Sequence, residues 1–313
     1  MMPEPKRGVP PVRSPPVTVA LVVNPTKVGN PRRARHRIEA MAEALGEAPP
    51  SWLATTEDDP GPGQARRALD DGATMVLVWG GDGTVTAVAG VLSGTGVPLG
   101  LLPGGTGNLL ARNLGVPLGL SDALTTAFRG ADRAIDLLDV YLGHGEHRVS
   151  TVMCGTGWDA AMMAAPEQLK KRLGWGAYAI EGARRMRRQP MRLRLSVDGG
   201  PPERRYGRTV LVANVGTLVA GLRLLPESVP DDGLLEVLIV DPTSPLDWLR
   251  TTADVVRGKG ADGDPSRTLL QGREVVVSTG HRRTRQIDGD LVSNGYGFHV
   301  RVVPKALKVR VPN

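Results

Sequence analysis

The sequence reads Gly80-Gly81-Asp82-Gly83-Thr84 and then Pro103-Gly104-Gly105-Thr106-Gly107-Asn108, and the first half of the chain is organised around these two glycine-rich stretches. Each follows an apolar run typical of a buried strand, and each precedes a helical pattern. Glycines at a strand-to-helix turn let the backbone approach a ligand closely, because no Cβ stands between them. The free N–H groups at the start of the next helix suit a phosphate. Asp82 makes sense in such a loop if a divalent cation arrives with the phosphates and needs a hard oxygen ligand.

The residues before these loops alternate between strand and helix patterns. Val17–Val23 is a nearly continuous apolar run, as expected for a parallel strand that is buried on both faces. Asn30 before Pro31 predicts a helix start, and a short second strand over Trp52–Thr56 precedes a helix to about Asp71. The alternation predicts an α/β domain with a mostly parallel sheet, which binds ligands at the carboxyl ends of its strands.

Around residue 132 the pattern changes to β-type runs that are separated by turn clusters. Ile135–Leu142 and Arg148–Met153 predict a hairpin, and helical patterns remain only near 159–188 and 245–257. The pattern of this half predicts a largely antiparallel β domain. Its further predicted strands are Met191–Val197, Thr209–Val215, Leu234–Val240, Glu274–Thr279, Gly297–Val303 and Leu307–Val311.

Composition restricts the classes of function. The formal charge of +7 would suit a nucleic-acid partner. However, only 4% of the 313 residues are aromatic, so few side chains could stack on the bases of single-stranded nucleic acid. We therefore expect no nucleic acid. The single cysteine, Cys154, fits a reducing compartment. No run approaches the roughly 20 apolar residues of a spanning helix, and the proline-rich residues 1–16 are expected to form a disordered leader.

The densest positive charge lies between Glu167 and Arg194, where nine basic residues stand against two acidic ones among apolar and aromatic residues. Such a mixture suits an anionic membrane surface, which attracts each Lys or Arg by about 1 kcal/mol. A solvated basic helix that packs on the β domain is the alternative interpretation.

The two glycine loops, with Leu109-Leu110-Ala111-Arg112 after the second, resemble the diacylglycerol kinase catalytic domain. More narrowly, the sequence resembles the soluble bacterial lipid kinases of the diacylglycerol kinase and sphingosine kinase superfamily. The resemblance covers nearly everything from Val17 to Val311 and continues through Gly155–Ala160, Asn214–Gly216, Pro230–Leu234 and Asp288–Asp290.

The resemblance implies an NAD-kinase/diacylglycerol-kinase-like two-domain fold, in which an α/β nucleotide-binding domain is followed by an antiparallel β-sandwich domain (fold class α/β + β). We expect the nucleotide-binding domain at 17–131, with a C-terminal return over about 304–313. The lipid-substrate domain is expected at 132–303.

The same resemblance implies a site for ATP and Mg²⁺ between the domains. The ATP phosphates would lie on the two loops, Asp82 would sit by the catalytic Mg²⁺, and further nucleotide contacts would come from the first two strand ends. The residues that would hold the nucleotide are Asn24, Lys27, Thr56, Gly81, Gly83, Thr84, Gly105, Thr106 and Asn108.

The family uses an acidic residue after an Asp-Gly pair, usually glutamate, as the base that takes the proton of the acceptor hydroxyl. Here that position is Asp290, one methylene shorter, and Asp288 would orient it or touch the metal. The alternative for Asp288-Gly289 is a type I′ hairpin turn that serves geometry alone. Asp231 and Asp232, with the carbonyl of Leu234, resemble the structural metal site of the bacterial enzymes, although paired acids before glycine are also ordinary turn residues.

These observations predict an ATP-dependent lipid kinase that phosphorylates the hydroxyl of a diacylglycerol-like lipid in an anionic membrane. It would be cytoplasmic and peripherally associated with the inner face of the membrane. Another lipid alcohol such as a sphingoid base or ceramide, a soluble acceptor as in NAD kinases, and a non-catalytic nucleotide- or lipid-binding protein stay open. A homodimer also stays open.

Overall fold

The computed structural model describes residues 18–157, 189–217, 224–225, 227–257 and 264–313. The predicted helix near 159–188 and most of the basic segment between 167 and 194 lie outside these residues. Arg192 and Arg194 of that segment are described, and both are exposed on a strand of the second half.

The first half is the predicted α/β domain with a parallel sheet. Its strands lie in the order β2-β1-β3-β4, and each neighbouring pair is parallel. Every residue of β1 and β3 is buried, as expected for strands that are covered on both faces. The elements are β1 (Val19–Val23), α1 (Pro31–Ala44), β2 (Ser51–Ala54), α2 (Pro62–Asp70), β3 (Met75–Gly80), α3 (Asp82–Leu92), β4 (Leu99–Pro103), α4 (Leu109–Asn113) and α5 (Leu120–Arg129).

The second half is the predicted antiparallel β domain. One apolar core is formed by β5, β8, β13 and β14 together with β10 and β11, so the strands form two facing layers of a sandwich. The elements are β5 (Ala131–Gly143), β6 (Glu146–Ser150), β7 (Met153–Gly157), β8 (Met191–Val197), β9 (Glu203–Gly207), β10 (Thr209–Ala213), β11 (Leu235–Val240), α6 (Pro245–Val256), β12 (Arg267–Gly272), β13 (Glu274–Ile287) and β14 (Asp290–Val311). The predicted fold class is confirmed.

The last strand corrects the prediction of two separate strands at Gly297–Val303 and Leu307–Val311. β14 runs without a break from Asp290 to Val311, and its register against β5 shifts between Val303 and Leu307. A bulge absorbs Pro304, which cannot donate to the ladder, and Lys305 there has a φ of 50°. The Lys305 N–H donates to the buried Asp136 carboxylate at 2.7 Å.

The strand β14 also joins the two halves of the molecule. Its residue Val309 pairs in parallel with Leu99 of β4, so the strand lies beside the nucleotide-domain sheet at its C-terminal end and beside β13 at its N-terminal end. The domain limits at 131 and 303 stay a prediction. No helix in the part of the chain that the structure describes has both the length and the apolar character to cross a bilayer.

Candidate active site

The two glycine-rich loops lie side by side because β3 and β4 are neighbouring parallel strands. The Gly104 N–H donates to the Gly80 carbonyl at 2.9 Å. A Cβ on Gly105 would lie 2.7 Å from the Gly81 Cα, so the backbones meet where only glycine fits. Helix α3 begins after Gly81 without a side-chain cap, and an uncapped helix start suits an anion.

This close approach gives the first prediction. Gly105→Ala should push the two loops apart, weaken ATP binding by at least about tenfold and cost about 1–3 kcal/mol of stability, as overpacking does. Gly90→Ala is the matched control, because a Cβ at Gly90 would be 3.6 Å from Val149, an ordinary contact, and alanine is favoured over glycine within a helix. Calorimetric titration with ATP would measure the difference; equal affinity of the two variants would contradict the prediction.

Asp82, in the first loop, holds the second loop beside it through two hydrogen bonds. Its carboxylate accepts the N–H groups of Asn108 at 2.9 Å and Leu109 at 2.5 Å. Burial raises the pKa of Asp82 above its usual value, these two N–H groups oppose the rise, and the charge of Asp288 adds to it. Two accepted bonds leave lone pairs on the carboxylate, so the arrangement fits a divalent cation next to the loops.

The amide of Asn108 closes the second loop upon itself. Its Oδ1 accepts the Gly105 N–H and its Nδ2 donates to the Gly105 carbonyl, both at 2.9 Å. Asn108 takes a left-handed conformation with φ 49°. The side chain therefore shapes the loop, while Thr106 at the tip of the loop is exposed.

Two of the predicted nucleotide residues from outside the first loop, Asn24 and Lys27, lie beside it. The N–H of Asn24 donates to the Trp79 carbonyl at 2.9 Å, and its Nδ2 reaches the Thr84 Oγ1 at 3.4 Å. Lys27 Cε lies 4.0 Å from the place of a Cβ on Gly81. Thr56 is exposed beyond β2, where its hydroxyl accepts the Asp59 N–H at 3.0 Å.

The hairpin between β13 and β14 places Asp290 against helix α3. Asp288 and Gly289 have φ values of 49° and 95°, as in a two-residue type I′ turn. The Asp290 Oδ2 lies 2.8 Å from the place of a Cβ on Gly83, so the carboxylate covers the first turn of α3. Burial raises the pKa of Asp290 above its usual value, and the nearby charge of Asp288 raises it further. The predicted type I′ turn at Asp288-Gly289 is therefore present, and this turn brings the Asp290 carboxylate to the first glycine loop.

Asp288 acts as a structural anchor in this geometry. Its oxygens accept six hydrogen bonds of 2.6–3.0 Å, and the residue is only 5% exposed. A carboxylate offers about four lone-pair sites, so none is left for a metal. Of the two predicted roles, the geometry favours orientation of the hairpin. The donors are Thr86 Oγ1, Ser150 Oγ, Thr151 N, Thr151 Oγ1, Val152 N and Met153 N.

The residues of the predicted structural metal site make ordinary turn and ion-pair contacts. Arg133 binds both oxygens of Asp231, at 2.8 and 3.0 Å, and these bonds hold the pKa of Asp231 below its usual value. The Asp232 Oδ1 accepts the Leu234 N–H at 2.9 Å. Among the described residues, no three His, Cys, Asp or Glu side chains form a group that could hold a metal ion. The geometry favours the turn, and the metal role stays a prediction.

A cleft of about 820 Å³ opens beside Asp290. It lies between helices α2 and α3 on one side and strand β6 with the β13–β14 hairpin on the other. Its walls are mainly apolar, and Arg66 and Arg148 are exposed on them. The apolar lining residues are Pro60, Pro62, Leu69, Ala87, Val91, Val149, Ile287, Leu291 and Val292.

Comparison with known proteins matches both halves of the chain. Residues 18–140 match the family described as "Diacylglycerol kinase catalytic domain", and residues 152–311 match "YegS C-terminal NAD kinase beta sandwich-like domain". The chain belongs to the diacylglycerol kinase catalytic-domain family. Membership supports a kinase of the lipid-kinase class, which uses ATP.

Curated relatives within this family carry matching names. "Probable lipid kinase YegS-like" of Xanthomonas oryzae pv. oryzae (strain MAFF 311018) is 31% identical over 270 residues, which cover 83% of this chain and 85% of the relative. "Probable lipid kinase YegS" of Salmonella arizonae is 30% identical, with 80% and 83% covered. A solved structure of a diacylglycerol kinase from Bacillus anthracis str. Sterne has a TM-score of 0.69 at 17% identity and covers 96% of this chain and 98% of that chain; it supports the fold.

The cleft walls of this family member could not be found from local sequence signals. Arg66 lies on α2, Arg148 on β6 and Leu291 on β14, and nothing in the sequence around any one of them distinguishes it from an ordinary surface residue. Only the packing of α3 against α2, β6 and β14 brings them to one cavity. The hydroxyl donors Thr86 and Ser150 were missed for the same reason.

Proposed function

We propose that the protein is an ATP-dependent lipid kinase that transfers the γ-phosphate to the hydroxyl of a diacylglycerol-like lipid at an anionic membrane surface. The observation that carries the proposal is the position of Asp290. Its carboxylate stands between the uncapped start of α3, which suits a phosphate, and an apolar cleft, which suits a lipid.

The donor phosphates would lie on the N–H groups of the two loops, at Gly81, Gly83, Thr84, Gly105 and Thr106. Lys27, which lies over Gly81, would add positive charge. Phosphoryl transfer depends mostly on positioning and on neutralising charge. Mg²⁺ held at Asp82 would neutralise the phosphate oxygens when it is bound with ATP.

Asp290 would accept the proton of the acceptor hydroxyl, which a base must reach within hydrogen-bonding distance. The Asp288 anchor holds the turn, so the base would meet the hydroxyl at a fixed place above Gly83. The apolar walls of the cleft would cover the acyl chains nearest to that hydroxyl. Peripheral binding to the inner face of a cytoplasmic membrane would deliver the lipid.

The raised pKa of Asp290 predicts the pH dependence. A base works only when it is deprotonated, so kcat should fall as the pH drops through the pKa of Asp290, and this limb should lie above the pH range of an ordinary aspartate. The rate of lipid phosphorylation between pH 4 and 9 would show it. A rate that stays constant down to pH 4 would contradict the role of Asp290.

A panel of acceptors tests the substrate class. The protein would be incubated with ATP, Mg²⁺ and, in separate reactions, diacylglycerol, monoacylglycerol, ceramide, a sphingoid base, glycerol and NAD, with products identified by mass spectrometry. We expect a phosphorylated diacylglycerol-like lipid. Phosphorylation of glycerol or NAD alone would replace the proposal with a soluble-substrate kinase.

A further inference from the structure

The helices that follow the two glycine loops each contact the β domain through one polar side chain. From α3, the Thr86 hydroxyl donates to the Asp288 carboxylate at 2.6 Å. From α4, the Asn113 amide pairs with the backbone of Thr217: Nδ2 donates to the carbonyl at 2.8 Å, and Oδ1 accepts the N–H at 2.9 Å. Thr217 lies four residues after the end of β10, so both partners belong to the second half of the chain.

The Thr86 hydroxyl binds Asp288, which lies two residues before the proposed base, Asp290. Five of the six hydrogen bonds to Asp288 come from the chain between Ser150 and Met153, and the sixth comes from Thr86. Among the described residues, Thr86 is thus the donor that ties this anchor to the nucleotide domain. It lies one helical turn after Gly83, the residue that Asp290 covers.

The Asn113 contact continues a chain of hydrogen bonds from the second loop. Asp82 accepts the Leu109 N–H, the Leu109 carbonyl accepts Asn113 Nδ2 at 2.9 Å, and Asn113 pairs with Thr217. The bond to Leu109 holds the amide on its own helix. A two-bond amide pair with a backbone fixes direction as well as distance, as a rung of a β-ladder does.

We propose that Thr86 and Asn113 are positioning residues that hold the β domain in one orientation relative to the two glycine loops. They set the distance between Asp290 and the γ-phosphate, a role that rests on the kinase function proposed above. An error of about 1 Å in such a distance costs about 10²-fold in rate. Neither side chain needs to touch ATP or lipid for this effect.

Measuring kcat and the KM for ATP of four variants distinguishes a positioning role of these side chains from a role in fold stability alone. Thr86→Val removes the hydroxyl at equal size, Thr86→Ser keeps it, and Asn113→Leu removes the amide at similar size. We expect Thr86→Val and Asn113→Leu to lower kcat by about tenfold or more with the KM for ATP within about twofold, and Thr86→Ser to restore kcat. The double variant should lose more than the product of the single losses, because each contact partly preserves the orientation.

A distance measurement tests the same claim without activity. Spin labels at Ser121→Cys on α5 and Ser278→Cys on β13 occupy exposed sites on the two domains, while Cys154 is 1% exposed and protected from labelling. We expect one narrow distance distribution in the otherwise native chain and a broader one in Thr86→Val/Asn113→Leu. An unchanged distribution, or kcat within twofold in folded single variants, would overturn the proposal. If the native chain phosphorylates no lipid, the kinase function fails and the distribution alone decides the positioning role.

Discussion

Asp290→Asn should lower kcat for lipid phosphorylation by about 10²–10⁴-fold, the usual contribution of a general base. Asparagine keeps the size of the side chain but cannot take up the proton of the acceptor. Because Asp290 lines the open cleft and has no part in the six-bond anchor, the thermal midpoint and ATP affinity should stay near those of the native chain. Initial rates in mixed micelles would measure the loss.

Asp290→Glu is the matched control for this variant. It keeps a carboxylate and has the length that is usual in the family, so we expect it to retain at least about a tenth of the native kcat. If Asp290→Asn turned over lipid at the native rate, the base would have to be sought elsewhere. A collapse of both variants to the same rate would show that geometry, and not proton transfer, limits the reaction at this position.

Asp288→Asn should have the largest effect on stability. One carboxylate oxygen would become an amide that donates, and it would face three hydrogen-bond donors in a site that is 5% exposed. The Ser150 hydroxyl can rotate and accept from the amide, but the N–H groups of Val152 and Met153 cannot. Each orphaned buried donor costs about 1–3 kcal/mol, so we expect a loss of about 2 kcal/mol or more. That is a large part of the 5–15 kcal/mol by which domains are stable. Urea unfolding of the two proteins would measure it.

Asp232→Asn is the control, because it keeps the oxygen that accepts the Leu234 N–H in an open turn. We expect its stability to stay within about 0.5 kcal/mol of the native value. If enough folded Asp288→Asn remains for kinetics, its acid limb should move to lower pH, since the Asp288 charge helps to raise the pKa of Asp290. Equal stabilities of the two variants would contradict the anchoring role.

Much of the fold could be predicted from local pattern. Continuous apolar runs such as β1 and β3 indicate buried parallel strands, and Asn30 before Pro31 marked the start of α1, where the Asn30 side chain accepts the Arg33 N–H. These features depend on neighbours within a few residues. The predicted break of the last strand was wrong because a pairing partner, β5, carries the chain across Pro304, and propensity cannot show the partner.

The functions of single carboxylates were harder to predict because their hydrogen-bond donors lie far away in sequence. Asp288 is 202 residues from Thr86 and 138 from Ser150. Asp82 binds N–H groups 26 and 27 residues later. From the sequence alone, Asp288-Gly289 is either a hairpin turn or part of a catalytic motif. In the folded chain the turn itself positions Asp290.

The most direct test of the kinase function is transfer of labelled γ-phosphate from ATP to diacylglycerol in anionic mixed micelles, with and without Mg²⁺, by the native chain and by Asp290→Asn. We expect a labelled phospholipid that requires Mg²⁺ and is nearly lost in the variant. ATP binding without any labelled lipid, from diacylglycerol or another lipid alcohol, would contradict it.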